Sequence, residues 1–154
     1  MANKYISAYM QLVWAVKFRR ALITAELRPH VERMIRSFLV KYKHEVIAIY
    51  CMPDHIHILF GYHPAQSVST IVQIAKTESC KLVKRLTGED DMDWQDGYGL
   101  ITYGAEAVPT VKAYVENQAA HHARDESFVE EFERMLTERG QVFDRKYFFH
   151  EPLD

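Results

Sequence analysis

Residues 45–60 read Glu45-Val46-Ile47-Ala48-Ile49-Tyr50-Cys51-Met52-Pro53-Asp54-His55-Ile56-His57-Ile58-Leu59-Phe60. Two runs rich in β-branched and aromatic residues, 45–52 and 55–60, flank the turn pair Pro53-Asp54, which predicts a β-hairpin. Side chains alternate across a strand, so His55 and His57 share one face while Ile56 and Ile58 share the other.

Working back from the hairpin, Leu27, Val31, Met34, Ile35, Phe38 and Leu39 recur at helical spacing, and Thr24 is placed to cap a helix over 25–43. Before it, residues 5–16 (YISAYMQLVWAV) have strand composition and end in the basic exit Lys17-Phe18-Arg19-Arg20. Working forward, Ser67 can cap a helix over 68–87 that Gly88 ends. Val68, Ile71, Val72, Ala75, Leu82, Val83 and Leu86 form its apolar side; Lys76, Lys81, Lys84 and Arg85 make the other side basic. Residues 89–96 (EDDMDWQD) form an acidic loop, and 98–103 (YGLITY) a fourth strand. Pro109 suits the first turn of a helix over 109–123. Ser127-Phe128-Val129-Glu130 is a capping box for a last helix, which Gly140 closes. The order β-α-β-β-α-β is the split βαβ, ferredoxin-like (RRM-like) arrangement. It predicts an α+β fold: a four-stranded antiparallel sheet with two helices on one face, followed by C-terminal helices.

With 154 residues and no linker or repeat, the chain reads as one domain over 1–154. Cys51 and Cys80 lack a CxxC pattern and read as free thiols in a reducing cytoplasm. Neither a signal layout nor an apolar run of membrane-spanning length is present. The net charge of −2 conceals polarity. Residues 1–88 hold 13 Lys+Arg against 5 Asp+Glu, and residues 89–154 hold 6 against 16. Such an imbalance suits an anionic partner for the first segment, or attraction between the two segments, within one chain or between two.

Several chemistries lack their residues. There is no Gly-x-Ser-x-Gly, no P-loop and no H-x-H-x-D-H run. What remains is the His55/His57 pair, able to hold one metal ion from a strand face, with Asp54 before it. Tyr114 and Gln118, four apart in the expected helix, fall on one helical face with His121 a turn beyond. A phenol can attack a phosphodiester, but its ordinary pKa of about 10 calls for help from a nearby cation. Surface histidines, a core tyrosine and a solvated glutamine are the plainer readings of each feature taken alone.

Together the features are more specific. Met52-Pro53-Asp54-His55-Ile56-His57-Ile58-Leu59-Phe60 resembles the HUH motif, two histidines around a bulky hydrophobic residue. Tyr114-Val115-Glu116-Asn117-Gln118, followed by His121-His122, resembles the tyrosine helix of the same family, and Trp94-Gln95-Asp96-Gly97-Tyr98-Gly99 its W-Q-x-G-Y-G stretch. The chain is thus similar to TnpA-type HUH tyrosine transposases of single-stranded insertion sequences (IS200-like). It departs from them at Leu100-Ile101-Thr102-Tyr103, where small residues are common, and at Lys76-Thr77-Glu78-Ser79-Cys80-Lys81, where serines are.

The resemblance implies that His55, His57 and Gln118 bind Mg²⁺ or Mn²⁺, and that Tyr114 attacks single-stranded DNA to leave a 5′-phosphotyrosine and a free 3′-hydroxyl. It implies a homodimer with active sites shared between protomers, acting on hairpin-flanked element ends. No membrane partner is expected; the location is cytoplasmic, on the nucleoid when acting. Lys17, Arg19, Arg20, Lys76, Lys81, Lys84 and Arg85 are the expected phosphate contacts. Two alternatives are a non-catalytic module that binds hairpin nucleic acid, and a metal-dependent nuclease that uses water.

Overall fold

The computed structural model describes residues 4–124, 126–142 and 144. Four strands, β1 (Tyr9–Ala15), β2 (Glu45–Cys51), β3 (His55–Gly61) and β4 (Gly99–Tyr103), form one sheet in the order β2-β3-β1-β4. All neighbours are antiparallel. The expected α+β, ferredoxin-like sheet is therefore present, and 45–61 forms its hairpin. α1 (Arg28–Lys41) and α2 (Val68–Thr87) cover one face. There Leu12, Trp14, Ile56, Ile58 and Phe60 pack against Val31, Ile35, Leu39, Ile71 and Ala75.

The C-terminal helices α3 (Val108–Glu116), α4 (Gln118–Arg124) and α5 (Phe128–Thr137) follow. Their apolar side chains cover the second face. Phe128, Phe132 and Met135 of α5 pack on Val13, Ala15 and Ile101, and Val115 of α3 packs on Ala48 and Leu59. The register pairs His57 with Val13 and His55 with Ala15, which sets both histidines on this second face.

Three expected boundaries are corrected. The first strand starts at Tyr9 rather than residue 5, since pairing with β3 and β4 begins there. Thr24 caps only a single turn: Leu27 N–H donates to its Oγ1 at 3.3 Å, and α1 itself starts at Arg28 with Pro29 in its first turn. The helix expected over 109–123 is broken at Asn117, whose φ/ψ of −102°/20° leave the helical region. Tyr114 and Gln118 therefore sit on different helices. At the last helix the sequence reading holds. The Ser127 Oγ accepts from Glu130 N–H at 3.3 Å, and Gly140 beyond the end has a φ of 75°.

Candidate metal and nucleophile site

The site is set into the second face of the sheet, ringed by the apolar contacts just described. His55, His57 and Gln118 are buried, with exposures of 1%, 0% and 0%. A chain of specific partners orients them. His55 Nδ1 lies 2.7 Å from Asp54 Oδ1, and His57 Nδ1 lies 2.6 Å from Gln11 Oε1. Gln11 is itself held, its Nε2 donating to the Tyr103 hydroxyl at 2.8 Å. Phe128 stacks on the His55 ring with centroids 4.2 Å apart.

The break at Asn117 turns Gln118 inward. Its Oε1 stands 3.3 Å from His55 Nε2 and 3.0 Å from His122 Nε2. The structure thus brings together all four residues expected to carry the chemistry, His55, His57, Gln118 and Tyr114, within one chain. The Tyr114 and His57 rings are 6.1 Å apart.

What joins them is Glu131, on α5 and fully buried. Its Oε1 is 3.0 Å from His57 Nε2 and 3.1 Å from His122 Nε2. Its Oε2 accepts hydrogen bonds from the Tyr114 hydroxyl and, at 3.1 Å, from Gln118 Nε2. Arg134, one turn further on, donates to the Tyr114 oxygen at 3.2 Å. Sequence reasoning missed Glu131, Arg134 and Gln11. One signal was there for Glu131: it falls on the apolar stripe of Phe128, Phe132 and Met135, where a carboxylate is costly unless partnered.

Electrostatics follow from burial and from this carboxylate. Burial would raise the Glu131 carboxyl, but hydrogen bonds from His122 and His57, and the interaction with His57, hold it well below the usual range. Burial lowers His57 despite Glu131. For His122 the pull of Glu131 outweighs burial, and its pKa rises. Burial, then the charge of Glu131, push the Tyr114 phenol above its ordinary value. In this arrangement the proton stays on Tyr114, so the phenol is positioned but not ionised.

Buried imidazole nitrogens beside amide and carboxylate oxygens form a donor set that suits a divalent metal ion. His55, His57, His122 and Glu131 have ligand atoms that all lie within 4.8 Å of one another.

A sequence model of the family described as "Transposase IS200 like" matches residues 4–118. The chain belongs to the IS200-like transposases. One relative in this family, the ISDra2 transposase TnpA of Deinococcus radiodurans, is 26% identical over 115 residues, covering 70% of this chain and 81% of that protein. Two solved structures share the fold. One, described as a transposase from Deinococcus radiodurans R1, has a TM-score of 0.60 at 22% identity and covers 77% of this chain and 96% of its own. The other is a REP-associated tyrosine transposase bound to a REP hairpin, with a TM-score of 0.55 at 15% identity, covering 79% and 73%. Within this IS200-like chain, the family match takes in His55, His57, Tyr114 and Gln118 but stops short of His122 and Glu131.

The IS200-like W-Q-x-G-Y-G stretch proves to be a docking element. Gln95 Oε1 accepts from the Ala15 backbone N–H at 2.7 Å, and Trp94 Nε1 donates to Ser79 Oγ at 2.7 Å. Gly99 lets α5 approach, because a Cβ there would meet Phe132 Cε2 at 2.6 Å.

Four of the basic residues expected to contact phosphate, Lys17, Lys76, Lys81 and Lys84, line one cleft of about 730 Å³. Arg19, Arg20 and Arg85 are not part of its lining. The acidic loop shares the cleft. Arg20 pairs with Asp91 at 2.7 Å, Lys84 with Asp90 at 3.8 Å and Lys17 with Asp93 at 3.9 Å. Lys81 pairs with Glu78 at 3.6 Å. Lys76 instead donates to the Gln95 and Gly97 carbonyl oxygens, each at 2.7 Å. The positive and negative segments of the sequence thus meet inside one chain. Among the described residues, no helix is long and apolar enough to cross a membrane.

Proposed function

We propose that this IS200-like transposase is a metal-dependent tyrosine enzyme that cleaves and rejoins single-stranded DNA at hairpin-flanked insertion-sequence ends. The observation that carries this reading is the convergence of Tyr114, His55, His57 and Gln118 on one buried site, at the positions the family resemblance assigns. In cleavage the Tyr114 oxygen bonds to phosphorus and the P–O3′ bond breaks. The 3′ oxygen departs as a hydroxyl, taking up the proton that the phenol gives up. The 5′-phosphotyrosine keeps the energy of the broken diester, and attack by a 3′-hydroxyl rejoins the strand. Arg134 stabilises charge developing on the phenol oxygen. His55, His57 and Gln118 would hold Mg²⁺ or Mn²⁺, which when bound polarises the phosphoryl group.

The site is closed by α5, with Phe128 over His55 and Glu131 between the histidines and Tyr114. Substrate entry therefore requires α5 to withdraw. Phosphates of the hairpin would be held by Lys17, Arg19, Arg20, Lys76, Lys81, Lys84 and Arg85, once the acidic loop yields the cleft. The reading includes a two-fold homodimer with shared sites, in which α3 and α4 would detach through residues 104–107 and dock on the partner. Its setting is the cytoplasm, on the nucleoid during transposition.

The presence of an intact tyrosine–histidine set, with both histidines buried, favours this over a hairpin-binding module that does no chemistry. A water-using nuclease would leave no protein–DNA bond. Incubation of the chain with single-stranded element ends and Mn²⁺ should yield a covalent adduct on a denaturing gel. Cleaved DNA without adduct would replace the tyrosine mechanism by the water one, and binding without cleavage would reduce the protein to a binding module.

A further inference from the structure

We infer that His122 and Glu131 join His55, His57 and Gln118 as metal ligands, giving this chain a nitrogen-rich, five-donor site that selects transition-metal ions over Mg²⁺. The inference rests on the metal-dependent reading above and extends it to residues beyond the family match.

The argument is one of lone pairs. The Nδ1 atoms of His55, His57 and His122 each face an oxygen that accepts: Asp54 Oδ1 at 2.7 Å, Gln11 Oε1 at 2.6 Å and the Glu126 carbonyl at 2.7 Å. Gln11 presents its oxygen here because its Nε2 is donating to Tyr103. Each Nδ1 is thus placed to hold the proton, and a neutral imidazole with its proton there offers a lone pair at Nε2. This pattern, with Nδ1–H tied to a carboxylate or carbonyl, is how metal-binding histidines are oriented.

The three Nε2 atoms converge on two oxygens that are acceptors as well. Gln118 Nε2 donates to Glu131 Oε2 at 3.1 Å, which fixes the amide so that its Oε1 faces the imidazoles. That Oε1 is 3.3 Å from His55 Nε2 and 3.0 Å from His122 Nε2. Glu131 Oε1 lies 3.0, 3.1 and 3.7 Å from the Nε2 atoms of His57, His122 and His55. Five potential ligand atoms thus meet at a place where Glu131, Gln118 and His57 are wholly buried. A cation among them would satisfy all five at once.

The spacing fits one. An ion with bonds of about 2.1 Å sets its ligands about 3.0 Å apart at right angles and about 3.4 Å apart in a tetrahedron. Those values fall inside the observed separations. Three imidazoles suit Mn²⁺, Co²⁺ or Zn²⁺, whereas Mg²⁺ favours oxygen ligands and retains its waters.

The test uses the full chain stripped with a chelator and then loaded with Mn²⁺. In the wild type, with histidine labelled by ¹⁵N, electron spin-echo spectra should count three coordinated imidazoles. Calorimetry should show Glu131→Gln and His122→Ala each weakening Mn²⁺ binding about ten-fold or more, and Mg²⁺ binding more weakly than Mn²⁺ to the wild type. A count of two imidazoles overturns the inference without depending on how any variant folds. So does wild-type Mn²⁺ affinity in both variants. If affinity is lost only in the His55→Ala/His57→Ala chain, the metal-dependent reading stands and this inference alone fails. If the wild type binds no divalent ion, both fail.

Discussion

The hydroxyl of Tyr114 donates a hydrogen bond to the carboxylate of Glu131, seventeen positions along the chain and on another helix. The proposed nucleophile is thus held by a group that also raises its pKa. Tyr114→Phe removes only the hydroxyl, and with it this bond and the one from Arg134. Folding and hairpin binding should survive, with a stability loss of about 1–2 kcal/mol, while cleavage and adduct formation vanish. Gel assays and thermal melts check both arms; cleavage near the wild-type rate would rule out Tyr114 as nucleophile.

Gln11 acts through His57. Gln11→Leu is nearly isosteric but leaves the buried His57 Nδ1–H without its acceptor, at a cost of about 1–3 kcal/mol. It should also release the ring orientation and lower Mn²⁺ affinity by roughly 10- to 100-fold. Unchanged Mn²⁺ affinity by calorimetry would show that His57 is oriented by packing alone.

Charge in the cleft should work in both directions. Neutralising Lys76, Lys81, Lys84 and Arg85 together should weaken hairpin binding and flatten its dependence on salt. Asp90→Asn, Asp91→Asn and Asp93→Asn combined should tighten binding, since they free Lys17, Arg20 and Lys84 from their intramolecular partners. A salt slope that neither set alters would place the DNA path elsewhere.

Gly99→Ala puts a methyl group 2.6 Å from Phe132 Cε2. Overpacking of this kind costs about 1–3 kcal/mol. The strain should push α5 away from the sheet, so amide exchange in 128–137 should quicken more than in β1 or β3. Equal protection in both regions would mean that the ring simply rotates aside.

Mixing tests the shared dimer. A Tyr114→Phe chain and a His55→Ala/His57→Ala chain are each expected to be inactive. If helices exchange, one site of the heterodimer has both an intact metal pair and an intact tyrosine, and cleavage returns. No recovery, with heterodimers demonstrated, means that each protomer uses its own tyrosine, as the single chain already positions it.

Much of this site follows from local rules. The period of two in a strand puts His55 and His57 on one face whatever surrounds them, and the hairpin around Pro53-Asp54 needs only its own residues. The four-strand, two-helix order follows from hydrophobic patterns and caps, as at Ser67 and Ser127. Tertiary structure alone decided which residues meet those histidines. Gln11 reaches His57 from 46 positions away and Glu131 from 74. No periodicity encodes such a pairing, because it depends on β1 lying beside β3 and on α5 closing the second face. Local propensity also points to one helix through Asn117, yet the chain breaks there and buries Gln118. The partners that Gln118 gains, His55, His122 and Glu131, exist only once the sheet and the last helices have come together.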